Sequence, residues 1–176
     1  MNYDMLFCGF GGQGVLFAGK IAAYCGLLDG RAVSWLPSYG PEMRGGTANC
    51  SVCLSEEEIG SPLVTQPNVL LALNGPSYHK FVNAVQPGGY LFYDSSLIEA
   101  KEERKDIRFF GLPATRLADE KGLTGAANII LLGKLAKETS FAQTEILHKA
   151  IEKCVHEKRK NLLAANWQAL DLGFSM

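Results

Sequence analysis

The stretch from Met5 to Gly14 constrains the fold most, because an apolar run passes directly into a glycine-rich turn. Residues 3–8 are almost wholly apolar, which is typical of a strand in the middle of a sheet. Residues 15–28 then place their apolar side chains at helical spacing. The turn between them reads Gly9-Phe10-Gly11-Gly12-Gln13-Gly14. This order predicts a strand, a tight turn and a helix, the first half of a βαβ unit.

The turn satisfies the pattern G-x-G-x-x-G in its proper context, after a strand and before a helix. Glycines allow close backbone approach, and the amino end of the helix offers free N–H groups to a phosphate. NAD binding also requires an acidic residue at the end of the second strand. That place reads Trp35-Leu36-Pro37-Ser38, so we do not expect NAD. A phosphate-bearing ligand other than NAD, a ligand shared with a partner, and a tight turn without a ligand remain as interpretations.

A second unusual stretch follows, Ser38-Tyr39-Gly40-Pro41-Glu42-Met43-Arg44-Gly45-Gly46. It has neither helical nor strand periodicity, and Gly40-Pro41 marks a turn. Arg44 offers a planar fork suited to a carboxylate or a phosphate. Glu42 is a candidate general acid or base, or a partner that orients Arg44. The alternative is an exposed turn with a surface ion pair, which contributes little to stability.

The remaining pattern predicts a single α/β domain over residues 1–176, since no linker or repeat interrupts it. We expect a Rossmann-like three-layer sandwich with a mostly parallel sheet, assembled from βαβ units, and a helical C-terminal third. The second strand, Ala32–Leu36, is expected to close at Pro37. Further strands are predicted at 47–54, 68–74, 90–93 and 107–111. Further helices are predicted from 75, at 125–137, at 143–158 and at 161–172.

Two polar groups follow predicted strands and are weaker candidates for the same ligand edge. They are Asn74-Gly75-Pro76-Ser77, which opens a helix, and Asp94-Ser95-Ser96. The three histidines, at positions 79, 148 and 156, lie on predicted helices, where we expect surface or packing roles. No arrangement of side chains indicates a nucleophile.

The charge balance excludes some classes of protein. Among 176 residues, 17 basic and 18 acidic side chains give a formal net charge of −1, whereas nucleic-acid-binding proteins usually carry a basic excess. No run of about 18 apolar residues predicts a membrane span. The N-terminus lacks a basic region before its apolar stretch, so we expect no signal peptide and a cytoplasmic protein with reduced thiols.

Five cysteines include one C-x-x-C pair, Cys50 and Cys53. On a strand, residues three apart face opposite sides, so the two sulfurs should diverge. A zinc or iron–sulfur site usually takes four ligands. We therefore expect ordinary buried cysteines and no metal site, with redox or metal chemistry as the alternative.

Residues 9–14 and 38–46 together resemble the gamma subunit of 2-oxoacid:ferredoxin oxidoreductases. The later Asn74-Gly75-Pro76-Ser77 and Gln86-Pro87-Gly88-Gly89 fit the same family, and the resemblance covers roughly residues 4–172. The form Tyr-Gly-Pro-Glu-Met-Arg-Gly-Gly is similar to that of the 2-oxoglutarate and branched-chain (2-oxoisovalerate) types.

The resemblance implies a subunit of an oxidoreductase rather than a complete enzyme, so no catalytic residue is expected in this subunit alone. Such complexes decarboxylate a 2-oxoacid with thiamine diphosphate and magnesium, pass electrons through iron–sulfur clusters to ferredoxin, and release an acyl-CoA. These cofactors are held mainly by other subunits, so this chain alone is expected to bind none. The implied partners are thiamine-binding, transketolase-like and ferredoxin-like subunits, and pairing with a second copy is left open.

The resemblance also implies that the two stretches contact a ligand or a partner. The positions carried over are Gly9, Gly11, Gly12, Gln13, Gly14, Tyr39, Gly40, Pro41, Glu42, Arg44, Gly45 and Gly46. The alternative function is a stand-alone Rossmann-like module that binds a nucleotide or CoA.

Overall fold

The computed structural model describes residues 2–39, 47–101 and 103–176, with Tyr39 described by its backbone only. Within these residues, six strands form one sheet in the order β2-β3-β1-β4-β5-β6. The strands are β1 (Tyr3–Phe10), β2 (Ala32–Tyr39), β3 (Thr47–Ser55), β4 (Val69–Ala72), β5 (Tyr90–Asp94) and β6 (Arg108–Leu112). The helices are α1 (Val15–Leu28), α2 (Gly75–Phe81), α3 (Ala114–Glu120), α4 (Ala127–Thr139), α5 (Thr144–Cys154) and α6 (Leu163–Ser175). Short 3₁₀ turns lie at Val82–Ala84 and Glu157–Leu162.

The sheet is mixed, and β3 is its one reversed strand. Strands β1, β4, β5 and β6 pair in parallel, whereas β3 pairs antiparallel with both β1 and β2. Five strands therefore share one direction, which confirms the mostly parallel sheet. The expectation that the sheet is assembled from βαβ units was wrong at β2–β3, which pair antiparallel. Only residues 40–46 separate these strands, and a parallel crossover needs a dozen or more residues.

Strand β2 continues through Pro37 to Tyr39, beyond the predicted end at Leu36. Proline has no N–H to donate to a neighbouring strand, so it is tolerated where one side of the strand is unpaired. The position of β2 at the edge of the sheet meets this condition. The prediction failed because edge position is a property of the whole sheet and not of the local sequence.

Helices cover both faces of the sheet, which gives the three layers expected from the sequence. Met5 and Phe7 of β1 point into the larger core, which includes buried residues of α1, α3, α4, α5 and α6. Leu6 and Cys8 of the same strand point into the smaller core with Tyr78 of α2. Alternation along one buried strand thus supplies both cores.

Helix α1 has the bounds that the sequence predicted, whereas four later helices differ. No pattern in the sequence predicted α3, which follows Pro113. Helix α5 ends at Cys154 instead of residue 158, since Val155 is extended and a 3₁₀ turn follows. Helices α4 and α6 are each shifted by about two residues, which is the usual uncertainty of helix ends.

Candidate functional site

Both sequence stretches meet at the carboxyl end of β1. Phe10 at the end of β1 pairs with Thr47, and Tyr39 at the end of β2 pairs with Ala48. The segment that joins β2 to β3 therefore begins and ends beside the glycine turn. Six of its predicted site residues lie outside the described residues, namely Gly40, Pro41, Glu42, Arg44, Gly45 and Gly46. Their predicted roles stay predictions.

Three glycines of the turn occupy positions that disfavour a side chain, either through a positive φ or through crowding. Gly12 and Gly14 have φ of 97° and 73°, in the left-handed region that favours glycine. A Cβ at Gly14 would lie 2.3 Å from Nδ2 of Asn128. A Cβ at the buried Gly9 would lie 2.8 Å from Oε1 of Gln13. Gly11 and Gly12 are exposed, so the tip of the turn faces outward.

Gln13 fixes the turn to the next parallel strand. Its Oε1 accepts a hydrogen bond from the backbone N–H of Phe10 at 2.7 Å and one from Nδ2 of Asn74 at 3.3 Å. Its Nε2 donates to the carbonyl of Leu73 at 2.9 Å. The side-chain amide of this predicted ligand residue is thus engaged within the chain, which gives it a positioning role in the turn.

The two weaker candidates lie at the same edge and also hold neighbouring elements. Asn74 caps α2 by accepting a hydrogen bond from the N–H of Ser77 at 2.8 Å. The buried carboxylate of Asp94 accepts from the N–H groups of Ser96 and Thr115, each at 3.0 Å. Asp94 therefore caps the amino end of α3, because the residue that precedes this helix provides no side-chain cap.

Two clefts flank the glycine turn and share Gly12, Thr124 and Gly125. The smaller, of about 280 Å³, lies over the carboxyl ends of β4 and β5 and includes Asp94. The larger, of about 700 Å³, is lined by the turn and by residues of the segments 122–128 and 154–166. Sequence reasoning missed both segments, because nothing local ties them to a turn more than 100 residues earlier. The bond from Nδ2 of Asn128 to the carbonyl of Gly14 is one such long-range link.

The cysteines do not form a ligand set within the described residues. The thiol of Cys50 contacts the carbonyl of Val15, and that of Cys53 contacts the carbonyl of Ser61, each at 3.8 Å. The two sulfurs therefore diverge, as predicted. Burial raises the pKa of Cys50 to about 12, which disfavours the thiolate that binds metals.

The implied metal cofactors find no fitting site in the part of the chain that the structure describes. Nowhere in residues 2–39, 47–101 and 103–176 do three or more His, Cys, Asp or Glu side chains come together to hold an ion. An iron–sulfur cluster would need such a group. Over the same ranges, no helix is both long and apolar enough to cross a lipid bilayer.

A known protein family matches almost the whole sequence. Over residues 4–176 the sequence matches the family described as pyruvate ferredoxin/flavodoxin oxidoreductase. The chain belongs to this family. The match covers both sequence stretches and both clefts, and it confirms the resemblance that the glycine turn and the following loop indicated.

Relatives of this family occur both as short subunits and as parts of longer chains. The 2-oxoglutarate synthase subunit KorC of Methanothermobacter marburgensis is 34% identical over 173 residues, which is 93% of each chain. The ketoisovalerate oxidoreductase subunit VorA of Methanothermobacter thermautotrophicus is 40% identical over 166 residues. This chain spans about a third (34%) of that VorA relative.

Solved structures share the same architecture. The gamma subunit of a keto/oxoacid ferredoxin oxidoreductase from Geobacter sulfurreducens PCA is 30% identical, with a TM-score of 0.83 and 98% and 96% coverage of the two chains. A 2-oxoglutarate:ferredoxin oxidoreductase from Magnetococcus marinus has the same fold over 30% of its chain, at 23% identity and a TM-score of 0.87. The predicted α/β fold of a gamma subunit is confirmed.

Proposed function

We propose that this chain is the gamma component of a multi-subunit 2-oxoacid:ferredoxin oxidoreductase. The complex would oxidatively decarboxylate a 2-oxoacid to an acyl-CoA and reduce ferredoxin. The observation that carries this proposal is the end-to-end match with the KorC subunit, which is as long as this chain.

The assembly would divide the chemistry among its subunits. Thiamine diphosphate with magnesium and the iron–sulfur clusters would be held by thiamine-binding, transketolase-like and ferredoxin-like partners, and CoA would enter the complex as a substrate. This chain would supply a rigid sheet edge. We place the assembly in the cytoplasm, where reduced ferredoxin and unpaired thiols are both maintained.

The 2-oxoacid is proposed to be 2-oxoglutarate or a branched-chain acid. The names of the relatives, 2-oxoglutarate synthase and ketoisovalerate oxidoreductase, support both. Assays of the purified complex with 2-oxoglutarate and with 3-methyl-2-oxobutanoate, each with CoA and ferredoxin, distinguish these substrates. Activity with pyruvate but with neither of these two substrates would contradict the assignment.

The partner contact is proposed at the carboxyl end of β1. Gly11 and Gly12 are exposed there, and the segment carrying Glu42 and Arg44 begins and ends beside them. Glu42 and Arg44 would give this contact its charge, since a carboxylate and a guanidinium favour complementary partners. Replacement of Arg44 by alanine should weaken assembly, whereas replacement of the exposed Arg116, on α3, should not.

Purification of the native protein tests the proposal. An affinity-tagged chain should co-purify with thiamine-binding and cluster-bearing subunits, and the isolated chain should show no oxidoreductase turnover. Recovery of the chain alone under mild, anaerobic conditions would contradict the proposal. The names of the relatives favour this function over a stand-alone nucleotide- or CoA-binding module.

A further inference from the structure

Strand β2 leaves one edge of the sheet open. Within the described residues it pairs only with β3, so its outer side carries backbone N–H and C=O groups that no other strand contacts. Such an edge can pair with a strand of another chain, and natural proteins usually block it with charged side chains. Residues 32–38 contain no charged side chain. Pro37 limits pairing near one end of β2 and leaves residues 32–36 available.

The opposite edge of the sheet has the usual protection. Strand β6 forms this edge, and five of the six residues 103–108, which lead into it, are charged. Arg108 is exposed on the strand itself. Pairing at this edge would remove charged side chains from water, which costs free energy. Strand β2 carries no such penalty, and two copies of it bring no like charges together.

Apolar side chains are exposed on both sides of the open edge. Of the eight large apolar side chains that are exposed in the described residues, four lie within residues 27–36. Trp35 lies on the face of the sheet that α1 covers, since its Nε1 is 3.5 Å from the position of a Cβ on Gly19. Leu36, the next residue along the strand, points to the other face. A strand added to the edge would cover both side chains, whereas an element packed on one face would cover only one.

Leu36 shares its face of the sheet with another exposed leucine. Leu36 pairs with Ser51 of β3, so the two side chains point to the same face. The hydroxyl of Ser51 accepts a hydrogen bond from the N–H of Val64 at 3.2 Å. This bond holds the loop that carries the exposed Leu63 on that face. The face beside the open edge therefore also presents apolar surface to a partner.

We propose that two copies of this chain associate through their β2 strands, which pair antiparallel about a two-fold axis and join the two six-stranded sheets into one. Two-fold symmetry is the commonest in protein dimers, and it requires a surface that is complementary to itself. An uncharged edge strand with apolar side chains on both faces meets this requirement. The added strand would also supply hydrogen bonds to the open backbone groups.

Sedimentation velocity of the isolated full chain between about 1 µM and about 200 µM tests the association. We expect a monomer–dimer equilibrium with a micromolar dissociation constant, since the interface is small. Leu36→Lys places a charge at the open edge and should weaken association about tenfold or more. Leu97→Lys is the matched control, because Leu97 follows β5 and is 50% exposed, against 38% for Leu36. The control should associate like the wild type.

Amide hydrogen exchange gives an independent readout that depends on backbone pairing. In the wild type, amides of residues 32–36 that face the open edge should exchange several-fold more slowly at high than at low protein concentration, because the added strand protects them. The amides of β6, at the other edge, should show no such dependence. This measurement needs no variant, so it tests the pairing even if a lysine substitution impairs folding.

A wild-type chain that stays monomeric up to about 200 µM would overturn the proposal and leave the edge to a strand of another protein. Dimers whose β2 exchange does not depend on concentration would also overturn it, as would equal association of the two lysine variants. None of these measurements involves other subunits. Co-purification, which tests the proposed function, therefore succeeds or fails separately from this self-association.

Discussion

At the residue scale, two glycines allow the energetic cost of side-chain crowding to be separated from the cost of a left-handed backbone conformation. Gly14 and Gly30 have nearly the same φ, 73° and 74°. A Cβ at Gly14 would meet Asn128, whereas a Cβ at Gly30 would meet nothing within 4 Å. The pair therefore isolates the effect of crowding at the turn from the effect of backbone conformation.

We predict that Gly30→Ala lowers the free energy of unfolding by about 1–2 kcal/mol, the cost of a left-handed alanine. Gly14→Ala should cost about 1–3 kcal/mol more, since Asn128 must move and its bond to the Gly14 carbonyl is disturbed. Urea unfolding of both variants measures this difference. Adding Asn128→Ala to Gly14→Ala should recover part of the loss, and equal effects of the two glycine substitutions would contradict the crowding.

Also at the residue scale, Gln13 should matter through the turn it holds. Gln13→Ala removes three hydrogen bonds to Phe10, Leu73 and Asn74, and we expect a loss of about 1–3 kcal/mol in the free energy of unfolding. Gln168→Ala, an exposed change on α6, is the control and should be near neutral. A loss no larger than that of the control would show that the turn holds its shape without Gln13.

At the scale of elements, α4 and α6 approach so closely that glycine is required on both. A Cβ at Gly173 would lie 1.8 Å from the carbonyl oxygen of Ile130, and one at Gly133 would lie 2.1 Å from that of Leu170. Helices pack at such short distances only where small residues let one backbone approach the other. The C-terminal third is thereby held against the sheet, and it supplies one wall of the larger cleft.

We predict that Gly173→Ala destabilises the protein by about 2 kcal/mol or more, because overpacking outweighs the better helix propensity of alanine. Gly75→Ala is the control, since this helical glycine has nothing within 4 Å of its Cβ position. Thermal unfolding should show a lower Tm for Gly173→Ala alone. A Tm equal to or above that of the wild type would contradict the close packing.

The elements also show where sequence reasoning succeeds. The first strand, the glycine turn and α1 were predictable because their apolar spacing and glycines are local. Helix α3 was not, because its first turn is held by Asp94 at the end of another strand. Contacts between distant parts of the chain also limited the prediction of the candidate site. The glycine turn was predicted, whereas the wall of the larger cleft that faces the turn, including Arg159, was missed. The side chains of Glu42 and Arg44 lie outside the described residues, so their roles rest on the sequence.

At the scale of the whole molecule, buried thiols should make the folded protein less stable at alkaline pH. Burial raises the pKa of all five cysteines above the ordinary value of 9.0, to about 12 for Cys50 and about 11 for Cys154. Above pH 9 the unfolded chain releases thiol protons that the folded chain still holds. The free energy of unfolding should therefore fall as the pH rises from about 9 toward 11.

Urea unfolding at intervals between pH 7 and pH 10.5 measures this slope. Each buried thiol contributes at most about 1.4 kcal/mol per pH unit. Cys50→Ala should lower stability at every pH by the lost packing, yet give a shallower decline above pH 9 than the wild type. An unchanged slope in this variant would show that Cys50 does not contribute to the decline.

The whole molecule is proposed to work as the gamma component of a 2-oxoacid:ferredoxin oxidoreductase. The most direct measurement is an add-back assay with partner subunits purified without this chain, following CoA-dependent ferredoxin reduction by the 2-oxoacid. We predict negligible turnover without the chain, restored turnover at stoichiometric addition, and poor restoration by Arg44→Ala. Full turnover by the partner subunits alone would contradict this role. So would the absence of turnover after addition of the correctly folded chain.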